Sequence, residues 1–190
     1  MRALAATFGV AALLATGGSA AKSVRQPAPI AAAAPASAPS LCRGGERVVY
    51  ACRFGARVGS VCLGKTSLHY RYGLAGGAMI DIASAPDWSN IHKGSNRSQG
   101  GLNQTSLRFT RGTMHYVVHA GETGSLNENP GRRISGITVL EGASGETQLA
   151  ALACSTGAGF RPGALDAVQA TAPRRWRSKE TSGGPFDMVF

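Results

Sequence analysis

The sequence predicts an all-β domain, a small antiparallel barrel or sandwich of about eight strands, built from hairpins and stapled by disulfides. Three observations predict it. Short runs of β-branched and aromatic residues recur between positions 41 and 160. Turn signals separate them at intervals of roughly 8–12 residues. The same span holds the chain's four cysteines, Cys42, Cys52, Cys62 and Cys154.

The first run is Arg47-Val48-Val49-Tyr50-Ala51-Cys52; Phe54-Gly55-Ala56 interrupts it and Val58 to Cys62 resumes it, a hairpin pattern. Ser67 to Tyr72 alternates, and Gly73 to Gly77 turns the chain toward Ala78-Met79-Ile80-Asp81-Ile82. Leu107 to Thr110, the turn at Arg111-Gly112, and Met114 to Val118 form the clearest hairpin. Ile134 to Leu140, the turn region Glu141 to Gly145, and Gln148 to Cys154 close the series. No stretch here keeps a helical period with caps, so no helix is expected between 41 and 160. Two long polar connections remain: Ser84 to Gln104, which carries Trp88, His92, Lys93 and Arg97, and Ala120 to Arg133. Connections of this length are functional or disordered. Trp88 on the first is either a binding anchor or a cap over the core, since indole joins a large apolar face to one donor.

The ends read differently. Residues 1–20 have Arg2, an uncharged apolar stretch from Ala3 to Ala15, and small residues at Gly18-Ser19-Ala20, the layout of a cleavable secretory signal. Residues 21–40 are a Pro/Ala/Ser-rich linker. Residues 161–190 hold Pro162, Pro173, Pro185 and the cluster Arg174, Arg175, Arg177, Lys179, and read as a flexible basic tail. The expected location is the periplasm or the exterior of the cell, with no transmembrane helix in the mature chain.

Lys and Arg number 20 against 10 Asp and Glu, a formal charge of +10. That balance favours an acidic protein cleft or an anionic envelope component as partner. Four cysteines in an oxidising compartment argue for two disulfides, with three pairings open. Their spacing of ten suits no zinc knuckle. His115 and His119 lie four apart on a strand, about 13 Å at ~3.3 Å per residue, too far to share a metal. No metal or cofactor is therefore expected. Gly142-Ala143-Ser144-Gly145-Glu146 approaches a nucleophile elbow but sits in a hairpin turn and lacks the last glycine. The core carboxylates form no pair assignable to acid and base work, so catalysis is not expected. Aromatic content of 6% gives few platforms for stacking bases, and no nucleic acid is expected. The alternating end Phe186 to Phe190 resembles the last strand of an outer-membrane barrel, but the other predicted strands are shorter than the 9–11 residues such barrels need.

Tyr50-Ala51-Cys52 and Cys154 are similar to the Y-x-C of a first strand and its partner near the end of the last in the bacterial periplasmic and membrane-bound inhibitors of c-type lysozyme. Thr105-Ser106-Leu107-Arg108-Phe109-Thr110-Arg111-Gly112, followed by Tyr116-Val117-Val118-His119-Ala120-Gly121, resembles that family's S-G-x-R-Y segment, T-x-G turn and aromatic strand ending in lysine-glycine. The chain also resembles uncharacterised exported proteobacterial proteins of the C…VC…YRYG pattern. The inhibitor resemblance spans about residues 46–154. It implies a small exported barrel, a Cys52–Cys154 bridge that leaves Cys42 to Cys62, and docking into a lysozyme cleft lined by two carboxylates. The family's serine falls at Thr105, its glycine at Ser106 and its lysine at Ala120, so the inhibitory groups themselves differ. The expected contact surface is Thr105, Arg108, Trp88, His119 and Glu122. The expected function is that of an exported binding protein; the alternatives are a structural, envelope-associated basic protein and a cell-wall hydrolase.

Overall fold

A computed structural model of the chain describes residues 39–97, 100–155 and 159–177. The leader 1–20, nearly all of the linker 21–40 and residues 178–190 of the basic tail lie outside the described residues.

All eight predicted strands form, and a ninth joins them. In chain order they are β1 (Arg47–Phe54), β2 (Arg57–Leu63), β3 (Leu68–Leu74), β4 (Gly77–Ala83), β5 (Ile91–Arg97), β6 (Leu102–Arg111), β7 (Met114–Thr123), β8 (Arg133–Glu141) and β9 (Thr147–Ala153). They make two antiparallel meanders, a four-stranded sheet β1-β2-β3-β4 and a five-stranded sheet β5-β6-β7-β8-β9. Within each sheet every strand pairs with the next, through a short turn everywhere but between β7 and β8, because alternating runs separated by a glycine-bearing turn favour the neighbouring strand as partner. Gly55 and Gly112 sit at φ 61° in the two-residue turns of β1–β2 and β6–β7, a conformation that costs a side-chain-bearing residue about 1–2 kcal/mol.

The ninth strand, β5, lies inside the segment expected to be a long polar loop. Its residues, Ile-His-Lys-Gly-Ser-Asn-Arg, carry a single large apolar side chain. An edge strand needs little more, because only one face and one edge are covered. The other expected loop also shortens: β7 runs on to Thr123, and Gly131 N–H donates to the Thr123 carbonyl at 2.8 Å to start the return.

The two sheets face each other across one core. Tyr50, Cys52, Val61 and Tyr70 come from the first sheet; Leu107, Phe109, Val118 and Ile137 come from the second. Tyr70 bridges the layers, 5.6 Å from the Phe109 ring and 5.3 Å from that of Tyr116. The sheets do not close into one hydrogen-bonded barrel. After β9 the chain instead returns along β1, with Ser155 N–H donating to the Arg53 carbonyl and Arg161 N–H to that of Val49. That strand edge is thereby covered. Two disulfides form, Cys42–Cys62 and Cys52–Cys154, the pairing that the resemblance implied.

The reading of 161–190 as a flexible tail does not hold for its described part. Helix α1 (Ala164–Thr171) and the short α2 (Arg174–Arg177) follow β9. Ala164, Val168, Ala172 and Trp176 are buried in the core. Trp176 meets Trp88 edge to face at 5.3 Å and donates its Nε1–H to the Ile91 carbonyl at 2.8 Å.

Candidate functional site

The pairing registers of the second sheet lay its residues out in rows. Ile91, Phe109, Tyr116 and Val139 make one row; Lys93, Leu107, Val118 and Ile137 make the next. Beyond them come Ser95, Thr105, Ala120 and Ser135, then Arg97, Asn103, Glu122 and Arg133. Side chains alternate across a sheet, so all four rows share the core-side face. That face therefore grades along the strands from largely apolar, through small and polar, to charged.

A groove opens where the gradient turns polar. One part, about 520 Å³, is lined by Arg97, Asn103, Thr105, Gly121, Glu122 and Arg133. A second, about 420 Å³, shares Thr105, Ala120, Gly121 and Arg133 and is walled by Phe160, Pro162 and Leu165. Its floor is made of small residues because the backbones come close. A Cβ on Gly121 would lie 2.3 Å from the Asn103 carbonyl oxygen, and one on Gly159 would lie 3.3 Å from the Ala120 Cβ. Among the described residues neither Arg97 nor Arg133 forms an ion pair. The groove thus offers two guanidinium groups and one carboxylate around a shallow polar floor. Guanidinium presents a planar fork of donors to carboxylate or phosphate.

The expected contact residues separate. Thr105 and Glu122 lie in the groove. Arg108 and His119 sit on the other face of the same sheet, because Arg108 falls between the core residues Leu107 and Phe109 and His119 directly follows the core residue Val118. His119 is 8% exposed, and burial lowers its pKa to about 4. Trp88 is not a surface anchor at all. It is fully buried, with its Nε1–H donating to the Thr66 carbonyl at 3.2 Å, which is the capping reading. Arg97 and Arg133 complete the groove. Arg133 escaped the sequence reading because its place depends on pairing with Glu122 across β7–β8.

A wider groove of about 610 Å³ lies between the β1–β2 turn and β9, lined by Phe54, Arg57, Tyr72, Leu74 and Leu152. It is mainly apolar and carries Arg57 over the Tyr72 ring at 5.9 Å.

A second polar assembly covers the outer face of the first sheet. Residues 40–46 fold over it, pinned by Cys42–Cys62. Arg71, 1% exposed, donates to Glu46 Oε1 at 2.9 Å and Asp81 Oδ2 at 2.9 Å. The Arg71 hydrogen bond holds the Glu46 carboxyl below its ordinary pKa. At Asp81 burial pushes upward, but hydrogen bonds from Arg71 and His69 prevail and keep it below its ordinary value. Asp81 Oδ1 faces His69 Nδ1 at 3.1 Å, and His69 Nε2 faces Ser67 Oγ at 3.1 Å. Cys42 and Cys62 lie near Glu46, but their sulfurs are joined and provide no thiolate for a metal.

Comparison with family models, with curated proteins and with solved structures returns no match.

Proposed function

We propose that the chain is an exported binding protein whose groove at Thr105, Gly121 and Arg133 takes an acidic group of a protein partner. The supporting observation is the last row, where Arg97 and Arg133 flank Glu122 without an ion pair to it, above a floor too small to fill the space. Two disulfides agree with an oxidising compartment outside the cytoplasm, and no helix among the described residues is long and apolar enough to cross a membrane.

The partner of choice is the carboxylate-lined cleft of a c-type lysozyme, as the sequence resemblance implies. Ala120 lacks the family's lysine, and the two arginines beside it supply the cationic group. The test is lysis of cell walls by c-type lysozyme with the protein in molar excess. The expected result is inhibition that weakens at least tenfold in Arg133→Glu and fades as salt rises, since exposed charge contacts are screened within about 8–10 Å at 0.1–0.15 M salt. Undiminished lysis at tenfold excess would sink the inhibitor reading. Release of the protein from cell walls by salt, without inhibition, would favour the envelope-associated alternative that the net charge of +10 supports.

A further inference from the structure

We infer that Ser67, His69 and Asp81 form a hydrolytic triad on the outer face of the first sheet, acting on carboxylic esters with small acyl groups. This site is on the opposite sheet from the groove and does not depend on it. The observation is the order of the contacts. Ser67 Oγ meets His69 Nε2 at 3.1 Å, and His69 Nδ1 meets Asp81 Oδ1 at 3.1 Å. This is the nucleophile–base–orienter sequence that acyl transfer requires.

The hydrogens follow from the chemistry. Ionised Asp81 has no proton to give, so Nδ1 of the neutral imidazole carries the hydrogen. Nε2 is then a bare acceptor, and the Ser67 hydroxyl donates to it. The base is thus fixed in the tautomer that can take the serine proton. The carboxylate is fixed as well. Its Oδ2 receives Arg43 at 3.0 Å and Arg71 at 2.9 Å, which leaves Oδ1 to the histidine. Backbone geometry sets the spacing. His69 opposes Ala83 and Arg71 opposes Asp81 in the β3–β4 ladder, so His69 and Asp81 are diagonal neighbours on one face. Ser67 stands one residue before β3, in a turn closed by Gly64 N–H donating to the Ser67 carbonyl at 2.8 Å. It is partly exposed, so a small ester can reach the hydroxyl.

In the reaction Ser67 Oγ attacks the ester carbonyl carbon, and its proton passes to His69 Nε2. The bond from that carbon to the alcohol oxygen breaks, and Nε2 returns the proton to the leaving alcohol. Water then attacks the acyl-serine, gives a proton to Nε2 and releases the carboxylic acid. The proton goes back to Ser67 Oγ. Ser67 and His69 are the catalytic residues; Asp81 positions the imidazole.

The test uses the full chain with a fluorophosphonate probe, read by mass spectrometry, and p-nitrophenyl acetate. The expected result is one label on Ser67, absent in Ser67→Ala and about 100-fold slower in His69→Gln, a loss within the usual range for a general base. Glu141→Gln, at the end of β8 in the other sheet, labels at the native rate. The ¹⁵N shifts of His69 report the Nδ1–H tautomer in the native protein, and Asp81→Asn loses that signature. A native protein left unlabelled at Ser67, or His69→Gln labelled at the native rate, would overturn the proposal.

Discussion

Trp88 illustrates how one residue can hold an unfavourable backbone in place. It sits at φ 55°, a left-handed conformation that a bulky side chain adopts only at a cost of about 1–3 kcal/mol. Full burial of the indole, its hydrogen bond to Thr66 and its edge contact with Trp176 offset that cost. Position alone left both an anchor and a cap open to it; contacts decided for the cap. His119 carries a prediction at the same scale. Burial lowers its pKa to about 4, from an ordinary value of 6.5, so the folded chain resists the proton that the unfolded chain accepts. Stability is therefore complete above the ordinary value and falls as pH drops from 6.5 toward 4, by at most about 3 kcal/mol at ~1.4 kcal/mol per pH unit. Urea unfolding at pH 7 and pH 4.5 should show the fall in the native protein and a smaller one in His119→Gln. Glu46 and Asp81 are also lowered, and their contribution is lost at still more acid pH, as each is protonated through its depressed folded-state pKa. An equal fall in both proteins between pH 7 and pH 4.5 would show that His119 does not set the slope.

At the scale of elements, α1 and α2 show what an irregular composition can hide. Pro162, Pro173 and the run of arginines suggested an unstructured tail. The buried residues Ala164, Val168, Ala172 and Trp176 nevertheless recur every four positions, which lays them along one side of a helical path. Pro173 directly precedes α2 and interrupts neither helix; a proline there lacks only an N–H that a helix start leaves unpaired in any case. Trp176→Ala should remove about 3–5 kcal/mol, the usual range for a buried tryptophan. Trypsin should then cut at Arg174 and Arg175 well before the β domain, and unchanged cleavage there would show that the helix is held by other contacts. β5 was illegible for the opposite reason. Its alternation is mostly polar, and its strand character comes from the ladder with β6, such as His92 opposite Arg108 and Ser95 opposite Thr105. β9 has three alanines, weak strand formers, among its seven residues, and still pairs from Thr147 to Ala153 because β8 supplies the partner.

Across the whole molecule, one bridge ties the two meanders together and the other pins the segment before β1 to the first sheet, and they stabilise unequally. Cys52–Cys154 closes a separation of 102 residues, and Cys42–Cys62 one of 20. By chain entropy the longer closure stabilises by about 4–5 kcal/mol and the shorter by about 3. Replacing Cys52 and Cys154 together with alanine should therefore lower the urea midpoint further than replacing Cys42 and Cys62. The reverse order would mean that the short bridge, which pins residues 40–46 over buried Arg71, does more for the native fold than its loop length implies.

Composition, alternation and turn glycines determined that this chain is all-β, where eight of its strands lie and that its cysteines are oxidised, because these properties are local or depend only on counts. The folded molecule decided the ninth strand, the helices, the burial of Trp88 and the separation of Thr105 from Arg108 and His119. It also assembled both candidate sites: Arg97 reaches Arg133 across four strands, and Ser67 reaches Asp81 through a hairpin register. Such neighbours are set by which strand pairs with which, and in what register. A slip of one residue would turn each of these side chains to the opposite face.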